Sequence, residues 1–142
     1  MNGYLLDTNV LSEPMRGARA NPAVTQFLTQ AERSFISVVS LHELTYGIAR
    51  LANDKRQHLR LAAGLQRIHS DFGSAFLDID VPVATVAADF RAAAQNNGYT
   101  VHLADALIAA TAAQHSLVLA TRNTADFEHL AVETFDPWTF QP

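Results

Sequence analysis

The chain contains no cysteine, so it has neither a disulfide framework nor a thiolate metal site. This absence is typical of proteins from a reducing compartment, and we therefore expect a cytoplasmic protein. Lysine occurs once, at Lys55, and charged residues make up only 17% of the chain. Because the formal net charge is −4, the molecule as a whole does not attract nucleic acid, and any such binding requires a local basic surface.

Long uninterrupted hydrophobic runs are also missing. The most apolar stretch, residues 103–120, contains Asp105, Gln114 and His115, which argues against a membrane span. No charged leader followed by a hydrophobic segment precedes residue 20, so we expect no signal peptide. Hydrophobic residues still account for 49% of the 142 residues, which is enough for a buried core. We expect one globular domain over residues 1–142 and no membrane partner.

Short apolar strands alternate with helices along the chain. Apolar runs followed by helix-capping residues predict strands at residues 4–6, 34–39, 75–79, 117–120 and 132–135. Capping signals and helical spacing predict helices after residue 7 and over residues 22–31, 40–51, 55–72, 80–97 and 103–115. This alternation is typical of an α/β fold in which a parallel sheet is covered by helices on both faces.

The sequence also predicts the start of one of these helices and the apolar face of another. Ser40 and Glu43 match the Ser-x-x-Glu capping box, which places the start of their helix at Ser40. In the helix of residues 103–115, Leu103 and Leu107 are expected on one apolar face, together with Ala110 and Thr111.

Four acidic residues fall at the junctions between strands and helices. Asp7 ends the first strand, Glu43 and Asp105 lie in the first turns of two helices, and Asp126 closely follows the fourth strand. The carboxyl ends of parallel strands lie at one edge of a sheet, so these side chains are expected to converge. Clustered carboxylates raise one another's pKa values, and Mg²⁺ relieves that conflict through oxygen ligands. The pattern predicts a metal site suited to phosphodiester hydrolysis.

A purely structural interpretation of each acid stays open at this point. Asp7 is a good helix cap, and Glu43 closes a capping box with Ser40. Asp105 suits the dipole of its helix, and Asp126 suits a turn. Four such acids at four junctions nevertheless favour a shared site.

Other polar residues have weaker patterns. Thr121 and Asn123 follow the fourth strand, where they either orient a water or phosphate or cap the next helix. His102 precedes Asp105 by three residues, but no second histidine sits at a spacing that suggests zinc, and we assign it no role. A stripe of arginines on one helical face is a candidate RNA contact or simply a solvated surface: Arg56, Arg60 and Arg67.

Taken together, these segments resemble the four signature segments of PIN-domain ribonucleases, and the chain is most similar to the VapC and FitB-like toxins of bacterial type II toxin–antitoxin pairs. The resemblance extends over essentially the whole chain. It rests on residues 6–12 (LDTNVLS), 40–44 (SLHEL) with Gly47, 105–112 (DALIAATA) and 121–127 (TRNTADF).

The resemblance implies a three-layer α/β/α sandwich with a central parallel sheet. It implies an endoribonuclease that depends on Mg²⁺ or Mn²⁺ and leaves 5′-phosphate and 3′-hydroxyl ends. Asp7 and Asp105 would be the metal ligands, and Glu43 and Asp126 would complete the catalytic acidic pocket.

The resemblance assigns the remaining polar residues to supporting roles. Thr121 would help to hold the attacking water, Asn9 would support Asp7, and Asn123 would belong to the same supporting set. The implied partners are an RNA substrate, a second copy of the chain in a homodimer, and a cognate antitoxin of the ribbon-helix-helix or another VapB-like class. Promoter DNA would be bound only through the antitoxin.

Three rival hypotheses compete with the ribonuclease hypothesis. A haloacid-dehalogenase-like phosphatase requires a second aspartate at position nine, where the chain has Asn9, and a lysine near a late strand. A phospho-receiver domain also requires a late lysine, and Lys55 is the sole lysine. A non-catalytic or weakly catalytic partner of a DNA-binding antitoxin, acting in promoter autoregulation, remains an alternative.

Overall fold

A computed structural model of the protein describes residues 3–142, and the first two residues of the expected domain lie outside this range. Residues 3–142 contain five strands: β1 Tyr4–Leu6, β2 Ser34–Ser37, β3 Phe76–Leu77, β4 Val118–Ala120 and β5 Thr134–Phe135. Six helices accompany them: α1 Thr8–Ser12, α2 Pro22–Gln30, α3 Val38–Ala49, α4 Lys55–Asp71, α5 Val81–Asn96 and α6 Leu103–Gln114. Three 3₁₀ segments complete the fold: Glu13–Arg19, Thr124–Phe127 and Pro137–Thr139.

The five strands form one parallel sheet in the order β3-β2-β1-β4-β5. In β1, Leu5 pairs with Phe35 of β2 on one side and with Leu119 of β4 on the other. The chain builds outward from β1 to β2 and β3, and then returns to place β4 on the opposite side of β1. The strand order therefore reverses between β1 and β4, and in open parallel sheets this is the position where ligand crevices form.

Helices cover both faces of the sheet, because successive strand residues point to opposite sides. Leu5 and Leu119 pack with α6 residues such as Ile108 on one face. Leu6 packs with the side chains of α1, α2 and α4 on the other face, among them Phe27 of α2. The expected three-layer α/β/α architecture is therefore confirmed. No helix within residues 3–142 is long and apolar enough to cross a membrane.

The start of α3 differs from the capping-box prediction. Ser37 is the N-cap, and its hydroxyl accepts a hydrogen bond from the backbone N–H of Val39 at 3.1 Å. Ser40 lies inside the helix, fully buried, and its hydroxyl has no hydrogen-bond partner among the described residues. Strand pairing sets the start of α3, because Ser37 still pairs with Leu77 of β3 and the helix begins at the next residue. Glu43 is therefore the sixth residue of α3, and it does not close a cap with Ser40.

The apolar face predicted for α6 is only partly correct. Leu103 is 56% exposed, whereas the helix is buried almost all round from Ala106 to Ala112. The reason is that α6 packs against the sheet on one side and against α5 on the other. Its small side chains allow that second close contact, because alanine lets two helix backbones approach.

Candidate active site

Asp7 lies at the reversal point of the sheet, between the carboxyl ends of β1 and β4. Its backbone N–H donates to the carbonyl oxygen of Ala120 at 2.9 Å, which extends the pairing of the two strands by one residue. The backbone then turns into α1, and Asp7 is the N-cap of that helix. Its side chain is only 7% exposed. The sheet and the helix together fix where this carboxylate points.

Three donors converge on the Asp7 carboxylate. Oδ1 accepts from the backbone N–H of Thr8 at 2.8 Å, while Oδ2 accepts from the Thr121 hydroxyl at 2.7 Å and from the Asn9 amide at 3.3 Å. Burial raises the pKa of Asp7 above its ordinary value, and these hydrogen bonds offset part of the rise. The negative charge of Asp126 adds to the rise.

The Thr121 hydroxyl takes part in several hydrogen bonds next to this carboxylate. Thr121 is fully buried, and besides donating to Asp7 its hydroxyl oxygen accepts from the Asn9 amide at 3.4 Å and from the backbone N–H of Asn123 at 3.1 Å. The resemblance implies that Thr121 holds a water; its hydroxyl donates to Asp7 here, and the water-holding role stays a prediction. Asn9 also accepts from the backbone N–H of Arg122 at 3.1 Å. The two segments that carry these groups, residues 7–9 and 121–123, are therefore tied together.

Asp105 lies in the first turn of α6 and is partly buried. Burial is the main cause that raises the pKa of Asp105, and the negative charges of Asp7, Asp126 and Glu43 raise it further, in that order. His102 acts in the opposite direction and lowers it. Charges affect a pKa in this way only at short range, so the four acids expected from the sequence lie around one edge of the sheet.

Glu43 is fixed by a residue that the sequence interpretation did not assign to the site. The hydroxyl of Thr8 donates to Glu43 Oε1 at 3.0 Å, and this bond joins the first turn of α1 to α3. From the residue type alone, Thr8 is only a helix-capping side chain. A contact across 35 residues leaves no local pattern, although the position of Thr8 directly after Asp7 is itself a signal.

Asp126 and Asn123 occupy the turn after β4. Asp126 is exposed on the 3₁₀ segment Thr124–Phe127, and its backbone N–H bonds to the carbonyl oxygen of Asn123 at 3.0 Å. The Asn123 side chain forms no hydrogen bond with any part of residues 3–142, and it does not cap that segment. Asn123 therefore supports the site through its backbone, which holds Thr121.

The donor set is the relevant test of whether a metal ion fits. Within residues 3–142, no three carboxylate or imidazole groups are close enough to hold one ion together. Asp7 and Asp105 are nevertheless two buried or partly buried carboxylates, and the charge of Asp7 helps to raise the pKa of Asp105 above its ordinary value after the larger effect of burial. Mg²⁺ is commonly bound by one or two carboxylates and retains several waters, and a pair of oxygen ligands suits it. The residues present fit such an ion.

The three arginines of the stripe on α4 line two separate pockets. Arg56 and Arg60 line a surface pocket beside the N-cap Asp54 and Gln57. Arg67 lines a separate, mainly apolar pocket of about 380 Å³ that α4 forms with residues of α1, α2 and the segment Glu13–Arg19.

This fold is that of the PIN domain. The chain belongs to the PIN-domain family, whose model matches residues 4–133. It is 40% identical over 136 residues to the toxin FitB of Neisseria gonorrhoeae, which covers 94% of this chain and 97% of that protein. It is 30% identical over 136 residues to the VapC ribonuclease Y4jK of Sinorhizobium fredii, covering 94% of this chain and 96% of the relative.

Solved structures agree with these relatives. The chain superposes with a TM-score of 0.87 on a chain of the structure of FitAB bound to an IR36 DNA fragment, at 37% identity and with 98% of each chain covered. The resemblance to VapC and FitB-like PIN-domain toxins stated from the sequence is therefore confirmed.

Proposed function

We propose that this protein is a Mg²⁺- or Mn²⁺-dependent endoribonuclease and the toxin of a type II toxin–antitoxin pair. Family membership and the names of its relatives, a toxin and a ribonuclease, support the proposal. The observation that carries it is the buried Asp7 carboxylate at the reversal point of the sheet, where three donors hold it. Burial raises the pKa of the partly buried Asp105, and the charges of Asp7, Asp126 and Glu43 raise it further. A protein tolerates such a repulsive arrangement when a cation or a reacting group uses it.

In this proposal Asp7 and Asp105 hold the metal ion. When bound, the ion supplies a water of lowered pKa and offsets negative charge that develops on the phosphodiester. Burial and the three donors around Asp7 keep its carboxylate in one orientation, so little rearrangement is needed before the reaction. Thr121 and Asn9 position Asp7, and Asn123 positions Thr121 through its backbone N–H.

Glu43 and Asp126 complete the acidic pocket. Both are exposed, so their carboxylates are available to accept hydrogen bonds from water and to orient the attacking molecule. Thr8 holds Glu43 in place for this role. The water oxygen bonds to phosphorus as the bond from phosphorus to the 3′ oxygen breaks. The products are a 5′-phosphate and a 3′-hydroxyl end.

The RNA and protein partners form the rest of the proposal. Arg56, Arg60 and Arg67 are candidate contacts for the phosphate backbone of the RNA, because α4 exposes all three. The chain would act in the cytoplasm as a homodimer and be held by an antitoxin of the ribbon-helix-helix or another VapB-like class. The structure of FitAB bound to an IR36 DNA fragment supports DNA binding by such a complex, in which the antitoxin would contact promoter DNA.

Growth of cells that express the protein without its antitoxin tests the proposal against the non-catalytic alternative. Asp7→Asn should abolish growth arrest while antitoxin binding survives, because the substitution removes one metal ligand and no exposed surface. Asp78→Asn is the matched control, since Asp78 is an exposed carboxylate just after β3, and it should arrest growth like the parent chain. Arrest by the Asp7→Asn protein would mean that the chain does not act as a nuclease.

A further inference from the structure

The backbone of Arg122 lies beside the acidic edge, next to the residue that donates to Asp7. Arg122 directly follows the buried Thr121, and its backbone N–H donates to the side-chain oxygen of Asn9 at 3.1 Å. Its side chain is exposed. The guanidinium carbon lies 4.9 Å from the ring centroid of Trp138, which is within the range of a cation–π contact.

The positive charge of Arg122 is not neutralised by a carboxylate of residues 3–142. No carboxylate in the described part of the chain forms an ion pair with it. The charges that alter the pKa values of Asp7 and Asp105 are those of other acids and of His102. The guanidinium lies against the Trp138 ring and does not alter the pKa of Asp7 or Asp105, so its charge is free to meet an incoming anion.

Trp138 is itself fixed. It lies in the 3₁₀ segment Pro137–Thr139, and its backbone N–H donates to the Asp136 carboxylate at 2.9 Å. Its ring packs against the core cluster that contains Leu6, Phe27 and Ala120. The ring is therefore a rigid support that limits where the Arg122 guanidinium can lie.

We propose that Arg122 binds an RNA phosphate next to the one that is cleaved, and that Trp138 positions the guanidinium for this contact. The inference rests on the proposed ribonuclease function. A polyanion that approaches four carboxylates on a chain of net charge −4 needs a cation at the site itself. The planar guanidinium fork matches a phosphate through two parallel hydrogen bonds, and its stacking on an aromatic face leaves its edge free to make them.

The test is a steady-state cleavage assay with an RNA oligonucleotide that the purified, antitoxin-free protein cuts in Mg²⁺ or Mn²⁺. Arg122→Gln should raise KM by about tenfold and change kcat little, because it removes a charge-assisted contact outside the reacting atoms. The slope of log affinity against log salt should fall by about 0.7, as expected when one phosphate contact on a single strand is lost. Arg19→Gln is the matched control, since Arg19 is an exposed arginine of the segment Glu13–Arg19, and it should leave KM and the slope unchanged.

A second pair of variants tests the role of Trp138. Trp138→Leu should raise KM in the parent chain and have no further effect when Arg122 is already glutamine, because both act on the same contact. Trp138→Phe keeps an aromatic face and a filled core, so it should restore most of the affinity. Thermal unfolding of each variant shows whether the fold is kept, and the phenylalanine variant alone tests the proposal if the leucine variant does not fold.

Three results would overturn the inference. Equal KM and salt slope in Arg122→Gln and Arg19→Gln, with a parent chain that still cuts RNA, would leave the proposed function standing without this contact. Loss of antitoxin binding with RNA kinetics unchanged would assign Arg122 to a carboxylate of the protein partner instead. A parent chain that neither binds nor cuts RNA would refute the proposed function and this inference together.

Discussion

Thr121 Oγ1 donates a 2.7 Å hydrogen bond to Asp7 Oδ2, and this bond joins two residues 114 positions apart in the chain. It spans the ends of β4 and β1, the two strands between which the sheet order reverses. Because both groups are buried, water does not compete for the bond, and the orientation of the Asp7 carboxylate depends on it.

Thr121→Val tests that dependence, since valine keeps the shape of threonine and removes the hydroxyl. The Asp7 oxygen loses its shortest donor, and the donors of Asn9 and Asn123 lose an acceptor. We expect the free energy of unfolding to fall by about 1–3 kcal/mol, the usual cost of unsatisfied buried polar groups. RNA cleavage should fall by tenfold or more. Thr121→Ser keeps the hydroxyl and should retain most of both properties, and equal losses in the two variants would contradict this explanation.

Two serines near the start of α3 should respond in opposite directions to alanine substitution. Ser37→Ala removes the N-cap bond to Val39 and should lower the free energy of unfolding by about 1 kcal/mol. Ser40→Ala removes a buried hydroxyl that lacks a partner within residues 3–142, and should raise it by about 1 kcal/mol. Urea denaturation of both variants measures the difference. A destabilising Ser40→Ala beside a neutral Ser37→Ala would restore the capping box predicted from the sequence.

Removing one acid should stabilise the protein in the absence of divalent ions. The pKa of Asp105 is higher in the folded state than its ordinary value, so folding favours its protonated form. The associated stability is complete below the ordinary aspartate pKa and is lost as the pH rises through the raised folded value. Asp105→Asn should therefore have a higher Tm than the parent chain at pH 7 in EDTA, and the two should converge as the pH falls toward the ordinary aspartate range.

The effect of divalent ions on Tm tests the same repulsion between the acids. Mn²⁺ should raise the Tm of the parent chain because it binds only the folded state, and it should have a much smaller effect on Asp105→Asn. A parent chain that is more stable than Asp105→Asn at pH 7 in EDTA would show that the acids do not repel one another as described.

Local sequence patterns were sufficient for most of the fold. The strand that ends at Asp7 and the proline-led start of α2 follow from short-range chemistry that does not depend on distant contacts. Asp54 and Asp80 are helix-capping residue types at the expected starts of α4 and α5, and both accept backbone hydrogen bonds in the first turn. The alternation of strands and helices then left few possible topologies.

The features that sequence reasoning missed all depend on tertiary contacts. Ser37 and Ser40 are both acceptable caps, and only the pairing of β2 with β3 selects Ser37. The bond from Thr8 to Glu43 and the contact of Arg122 with Trp138 join elements that have no fixed distance until the sheet is assembled. The four acids were named from their positions at junctions, and their role in catalysis stays a prediction.

The most direct test of the central claim is cleavage of a mixed cellular RNA pool by the purified, antitoxin-free protein. The reaction is run with Mg²⁺, with Mn²⁺ and with EDTA, beside Asp105→Asn and the exposed control Asp78→Asn, and the new ends are mapped by sequencing. We predict cuts at a few sites with 5′-phosphate ends that require a divalent ion, persist in Asp78→Asn and are absent from Asp105→Asn. Folded protein that makes no cut with either ion, or equal cleavage by Asp105→Asn, would contradict the account.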